Sequence, residues 1–222
     1  MTRTRCVATV FAVAAALAPG AAQAAPILMA TSVSSSAGDS GGATALVNMI
    51  NQDGLTVGYT SGVTDFDAYT AVAIHDAGPL STGHGVAAIF SFPTIFTFDL
   101  GGLFSIDATA LWQSWNGAYL AFGGFIVWAD DDSDFGNGGL VPLLSDTLTI
   151  APGAQVFSFA PVTTQFVHIE ALSALTWISA GMGLSEVAWR QADAEAIPEP
   201  GTLLLIASGL AATGRRLRQR RT

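Results

Sequence analysis

The sequence predicts an all-β fold, an antiparallel β-sandwich set between two membrane-directed ends. Three observations lead there. From Pro26 to Asp193 no helical hydrophobic period runs longer than about ten residues. Short runs rich in Val, Ile, Phe and Thr are separated by Gly, Pro and Asp turns. The chain has 222 residues, the length of one domain plus signals. Strands at this spacing, with no helices between them, bury their apolar faces by stacking as two sheets.

In chain order, Thr44–Gln52 reads as a short helix. Ile95–Gly102 reads as a strand that ends in the Gly101-Gly102 turn, and Ile106–Trp112 follows with partial alternation. Gly124–Trp128, Thr147–Ile150, Val156–Phe159, Phe166–Ala171 and Leu184–Trp189 complete the strands. Gln191–Ile197 is a polar, acidic linker. There is no internal repeat and no low-complexity tract. The division is residues 1–24 as a signal peptide, 25–193 as the β-sandwich and 194–222 as a C-terminal sorting segment.

The N-terminal segment has Arg3 and Arg5, an apolar run Val7–Ala18, a Pro19-Gly20 break and Ala22-Gln23-Ala24. These are the parts of a secretory signal peptide, with cleavage expected between Ala24 and Ala25. The C-terminal segment runs Pro198-Glu199-Pro200, then apolar Thr202–Thr213, then Arg215, Arg216, Arg218, Arg220 and Arg221. The uncharged stretch Gly201–Gly214 reaches roughly 20 Å as a helix, against a hydrocarbon core of roughly 30 Å. Such a transmembrane helix spans by thinning the bilayer locally or by letting its arginines reach the interface. The arginines stay cytoplasmic, so the body lies outside the inner membrane. The two prolines hold the motif extended, a shape a protease can grip. In this order the three parts resemble the PEP-CTERM sorting signal of Gram-negative bacteria. The resemblance implies an exosortase as processing partner, a transient inner-membrane anchor, and delivery to the cell surface or extracellular matrix. The alternative is an ordinary tail anchor in which Pro-Glu-Pro is chance.

All eight basic residues are Arg, and with both ends removed only Arg190 remains in the body. The 17 acids lie between Asp39 and Glu199, giving that region a charge of about −16. It repels phosphate backbones, which argues against nucleic acid as a partner. It suits an extracellular module that binds cations or stays soluble in a polymer matrix. The single cysteine, Cys6, falls in the signal peptide, so the mature body has no disulfide and depends on core burial.

Within the body an ordered series of short elements stands out. They are Ala45–Gly54 with its Asn-Gln-Asp-Gly turn, Phe96–Gly101 (Phe-Thr-Phe-Asp-Leu-Gly), Ala110-Leu111-Trp112, Phe166–Glu170 and Gly183–Trp189 (Gly-Leu-Ser-Glu-Val-Ala-Trp). Together they resemble the discoidin or F5/8 type C superfamily, a galactose-binding-like β-jelly roll. The resemblance implies a calcium ion tying the early Asp-Gly turn to the last strand, held by Asp53, Thr56 and Glu186 with carbonyls near Asn48 and Asn51. Calcium takes six to eight hard oxygens, which carbonyls and carboxylates supply. The plainer alternative is that Asp53 starts a turn with Gly54 and Glu186 faces solvent. Where sugar-binding members follow that turn with a Thr and a Trp, this chain reads Leu55-Thr56-Val57-Gly58-Tyr59.

Asp130, Asp132 and Asp134 alternate like the start of a second calcium loop, although the glycine comes one place late and no glutamate closes it. A solvated acidic loop is the alternative. For a sugar ring, Trp115 in the polar turn Gln113–Gly117 is the aromatic platform and Asn116 the hydrogen-bonding neighbour. Trp112, Trp128 and Trp189 lie in strand-like runs and read as core. His75, His84 and His168 have no zinc-site spacing and read as structural. No nucleophile elbow, Walker loop or dinucleotide fingerprint is present. The expectation is therefore a secreted, non-catalytic surface or matrix protein, adhesive or bound to exopolysaccharide or another glycan. The alternatives are a purely structural matrix component and a polysaccharide-acting hydrolase.

Overall fold

A computed structural model describes residues 25–39, 41–42, 45–76, 87–89, 92–113, 123–175 and 182–192. The signal-peptide residue Ala24, the sugar-site pair Trp115 and Asn116, His84, and the whole sorting segment lie outside the described residues. So do the C-terminal membrane helix and the arginine tail expected from the sequence. Among the described residues no helix is long and apolar enough to cross a membrane.

Among the described residues eight strands form the body: β1 (Ile27–Leu28), β2 (Ser32–Ser35), β3 (Ala87–Ile89), β4 (Thr94–Gln113), β5 (Gly124–Asp130), β6 (Val141–Thr147), β7 (Gln155–Ala171) and β8 (Met182–Gln191). All pairings are antiparallel, in the order β1-β8-β4-β7-β5-β6, with β2 also on β4 and β3 also on β8. The two layers of the sandwich are one continuous hydrogen-bonded sheet, because β4 and β7 run through both. Sequence reading divides each of these long strands in two. In the fold, Ile95–Gly102 and Ile106–Trp112 are one strand, and so are Val156–Phe159 and Phe166–Ala171.

The division arises because Gly101-Gly102 looks like a turn. Gly101 does take φ +81, but within a bulge, where its missing Cβ makes room for the Thr31 methyl 2.6 Å from that position. Between Asp99↔Phe166 and Phe104↔Thr164 the register slips, and the strand pair bends from one layer into the other. The first half of β4 with β2, β5, β6 and the second half of β7 makes one layer; the second half of β4 with β1, β3, β8 and the first half of β7 makes the other. Phe96, Phe98, Phe125, Val127, Val167 and Ile169 from the first layer meet Leu111, Leu184, Val187 and Trp189 from the second. Phe98 and Trp189 pack edge to face across the interior at 5.1 Å.

The burial string of β4 changes character along its length. Its first seven residues alternate buried with half-buried, and its last six residues are all buried. The second layer is covered on its outer face too, by the segment Leu55–Asp76 with helix α1 (Phe66–Thr70). Ala108, Ala110 and Ala188 keep that face shallow, so Phe66 and Tyr69 settle onto it beside Trp112. Asp65 caps α1, accepting from the Ala68 N–H at 2.6 Å. Arg190 ties α1 to the sheet, donating to Asp107 at 2.7 Å and to Asp67 at 3.1 Å, with its guanidinium 5.8 Å from the Phe66 ring centre.

Other boundaries move as well. The expected helix at Thr44–Gln52 is a 3₁₀ turn over Leu46–Met49. The strand expected at Thr147–Ile150 is instead the end of β6 and the loop after it. Gln191 belongs to β8 rather than to the linker.

Candidate functional site

The last strand runs between two poles. At one, Gln191 N–H donates to Pro26 O at 2.9 Å and Ala192 N–H to Ser105 O at 2.8 Å. At the other, β8 passes Glu186 opposite Trp112 and Leu184 opposite Gln113, the last residue of β4. Leu184 and Gln191 are roughly 23 Å apart at about 3.3 Å per residue. We refer to the Leu184 end as the distal pole.

The Asn51–Tyr59 turn closes over the distal pole, and Glu186 anchors it. Glu186 is fully buried. Its Oε2 accepts from the Gln52 N–H and its Oε1 from the Tyr59 hydroxyl, each at 3.0 Å. Gln52 sits at φ +63, a left-handed value that points its N–H inward. Its side-chain amide pairs with the main chain of Tyr59, accepting from N–H at 2.8 Å and donating to the carbonyl at 3.1 Å. Gln52 thus bonds across the turn as a short strand would. Tyr59 stacks edge-on against Tyr69 at 5.1 Å, and the Tyr69 hydroxyl donates to Val57 O at 2.6 Å. Gly54, at φ +90, lies against the buried His75 ring, which a Cβ would meet at 2.6 Å. His75 Nε2 is 2.9 Å from Asp53 O.

Burial pushes the Glu186 carboxyl up to about 8, only partly opposed by its bonds to Gln52 and Tyr59. Burial likewise raises the Tyr59 hydroxyl, and the Glu186 charge adds to that. Tyr69 rises to about 12, for burial first and Glu186 second.

The arrangement brings together only part of the calcium set expected from sequence. Glu186 does meet the Asn51–Gln52 turn, buried rather than facing solvent. Asp53 and Thr56 are exposed, and the Thr56 hydroxyl accepts from Ile74 N–H at 3.2 Å. Both Glu186 oxygens face N–H or O–H donors, whose positive ends stand where a cation would bind. Among the described residues no three His, Cys, Asp or Glu side chains converge on a metal position. As folded, the donor set does not fit calcium.

The second acidic series also separates. Asp130 is buried and lies 3.2 Å from His168 Nε2, while His168 Nδ1 lies 2.9 Å from the Thr97 hydroxyl. Burial holds His168 below the usual histidine range, with Asp130 opposing it. The neutral tautomer follows: Thr97 O–H donates to Nδ1, and Nε2–H donates to Asp130. Asp132 and Asp134 bind their own loop. Asp132 accepts from Asp134 N–H at 2.7 Å and from the Asn137 amide at 2.6 Å, and Asp134 accepts from Gly136 N–H at 3.0 Å. Those bonds, the Asp134 N–H first, hold the Asp132 carboxyl below its ordinary value. Phe135 in this loop packs edge-on to His168 and Trp128 at 5.4 and 6.0 Å. Trp128 is half-buried on the outer face of the first layer, not in the core, and donates to Glu170 at 3.3 Å.

Sequence reasoning missed Gln52, Tyr59 and the Asp130–His168 pair. Tyr59 ends the run Leu55–Tyr59 that follows the Asp53-Gly54 turn, and the unusual reading of that run was the available signal. Nothing local marks Asp130 as buried among its exposed neighbours; only its place at the end of a strand does.

Residues 196–221 match the model of the PEP-CTERM protein-sorting motif. No curated protein matches the chain significantly. Solved structures do resemble the body. Chitosan-binding module 1 of a chitosanase/glucanase from Paenibacillus sp. IK-5, in a selenomethionine-labelled point-mutant form, superposes with TM-score 0.50 at 11% identity, over 75% of this chain and 98% of the module. The CBM32 of AlyQ, in complex with 4,5-unsaturated mannuronic acid, gives 0.49 at 18% identity, over 73% and 96%. The family 32 CBM of C. perfringens NanJ, in complex with galactose, gives 0.45 at 12% identity, over 71% and 91%. The chain carries a PEP-CTERM sorting motif behind a β-sandwich with the fold of carbohydrate-binding modules.

Proposed function

We propose that this is a secreted, exosortase-processed, non-catalytic surface or matrix protein that contacts polysaccharide with its distal pole. The observation that carries the reading is the opposition of the two poles. The sorting segment follows Ala192 at one, while the Gln52–Tyr59–Glu186 latch and the end of β4 at Gln113 lie at the other. A domain tethered in this way presents the distal pole outward, and Trp115 and Asn116 follow directly on the strand that ends there. The fold likeness to a chitosan-binding module supports a glycan as the ligand class. The non-catalytic reading draws on the two buried acids of the body, Glu186 and Asp130. Both are enclosed and bound to internal donors, so neither is presented to a substrate.

The test is binding of recombinant residues 25–195 to the host's own exopolysaccharide and to chitosan, with calcium and then with chelator. Saturable binding that persists in chelator and is lost in Trp115→Ala is the expected result. Absence of binding to every polymer would leave a purely structural component, and turnover of the polymer would overturn the non-catalytic reading.

A further inference from the structure

Both ends of the body leave it at one place, and that place has a distinct surface. Ala25 O accepts from Phe66 N–H at 2.8 Å, so the first residue after the expected signal cleavage is already bonded into the body. Ile27 stands opposite Arg190, and Gln191 and Ala192 are bonded to Pro26 and Ser105. Here β4 also makes its large bulge: Leu100 to Leu103 stand against Gln165 alone. The bulge drives Leu103 out to 72% exposure, two residues along β4 from the carbonyl that holds Ala192. Ala160 and Pro161 are exposed farther along the neighbouring strand, opposite the second irregularity of β4 between Ile106 and Ala108. The carboxylates nearby are occupied: Asp99 accepts from Gly101 N–H and the Gln165 amide, and Asp107 is paired with Arg190. On a strongly acidic body, this pole is apolar at its tip and its carboxylates are bonded internally.

The chain between this pole and the sorting motif is short. Asp193–Ile197 separates Ala192 from Pro198, and fully extended it reaches roughly 20 Å. On the reading that a membrane-embedded exosortase cleaves this chain, the enzyme has to grip Pro198–Pro200 with the folded body no farther away than that. One leucine would not bind a free body to a bilayer. For a body already tethered, local concentration is supplied by the anchor, and Leu103 only has to orient it.

We propose that the terminal pole lies on the inner-membrane surface through Leu103 while the chain is anchored, and that Asp193–Ile197 is a spacer whose length limits exosortase access. The occupant of this face is the bilayer surface, because the chain leaving Ala192 enters it within one short spacer.

The test uses the full chain in its host and follows C-terminal processing by pulse-chase. Deleting Asp193–Glu195 should slow processing several-fold, whereas replacing those residues by Gly-Ser-Gly should leave it at the wild-type rate. Deletion without effect, or replacement as slow as deletion, would overturn the spacer. Wild-type chain that is never processed would remove the exosortase reading itself, a different and separately visible result. In a host lacking the enzyme, with Cys6 replaced, a polarity-sensitive dye on Leu103→Cys should report an apolar surrounding and the same dye on Thr149→Cys should report water. Equal signals from both positions would overturn the membrane contact.

Discussion

Replacing Glu186 by Gln tests whether the distal latch works as a buried acid or as a metal ligand. The carboxyl is raised from 4.5 to about 8 by burial, so the folded protein keeps its proton where the unfolded chain has lost it. The contribution to stability is therefore complete below the unfolded value and declines as pH rises from about 4.5 to about 8. At about 1.36 kcal/mol per unit the shift sets a ceiling of roughly 5 kcal/mol. That is visible against a domain stability of about 5–15 kcal/mol. Glutamine has the shape of the protonated acid. Its amide oxygen still accepts from Gln52 N–H, and its amide nitrogen donates to the Tyr59 oxygen, which reverses the bond that Oε1 accepts from that hydroxyl when the acid is ionised. Urea unfolding of the body should give equal stability for Glu186→Gln and wild type near about pH 5, and a more stable variant near about pH 8.5. Parallel pH profiles would refute the buried-acid account. So would wild-type stability that rises with calcium at alkaline pH while the variant does not respond, a result that would assign Glu186 to a cation.

Three further outcomes follow from the same geometry. His168 has the opposite sign: its folded value is lowered from 6.5, so its contribution is present above that pH and is lost as pH falls below it. His168→Gln should flatten the acid limb of the urea profile and leave the Glu186-dependent limb unchanged. Gln52→Ala removes both bonds to the Tyr59 main chain and should cost about 1–3 kcal/mol, read as a lower urea midpoint at unchanged slope. Arg190→Ala frees α1 from the sheet. With Asp67 66% exposed, most of the loss comes from the Asp107 pair and the packing on Phe66, about 1 kcal/mol in all, with faster amide exchange confined to Phe66–Ala73.

The sandwich was legible because strand periodicity and turn residues are local properties, and so was the sorting motif. What escaped depended on distance along the chain. Nothing near Gly101-Gly102 distinguishes a hairpin turn from a bulge, since both ask for the left-handed backbone that glycine tolerates. The choice is made by Gln165 and Thr164, more than sixty residues later, which keep β7 in register on both sides of the slip. Helix α1 has five residues, too few to show a period, although Thr64-Asp65 before Phe66 offered a capping signal. The link from the last strand to the early turn does run through Glu186, which accepts hydrogen bonds from Gln52 and Tyr59. Its partners were hidden, because Gln52 takes a backbone angle unusual for glutamine and Tyr59 lies beyond a run with no recognisable turn chemistry.

The placement of the charges narrows the kind of glycan such a body can meet. Its one arginine is turned inward onto Asp107 and Asp67, so no basic side chain among the described residues is available to an acidic sugar. Glu186 and Asp130 are enclosed, while Asp53, Asp131 and Asp134 are exposed and set a negative field around the molecule. An anionic polysaccharide approaching this surface meets repulsion at every distance within the screening length, and only salt or a bridging cation relieves it. A neutral glycan meets no such barrier, and an amine-bearing one is drawn in. Binding to chitosan should accordingly weaken as salt is raised, and binding to a neutral polymer should not. If an anionic polymer bound best at low salt, the contact would have to come from cationic groups outside the described body.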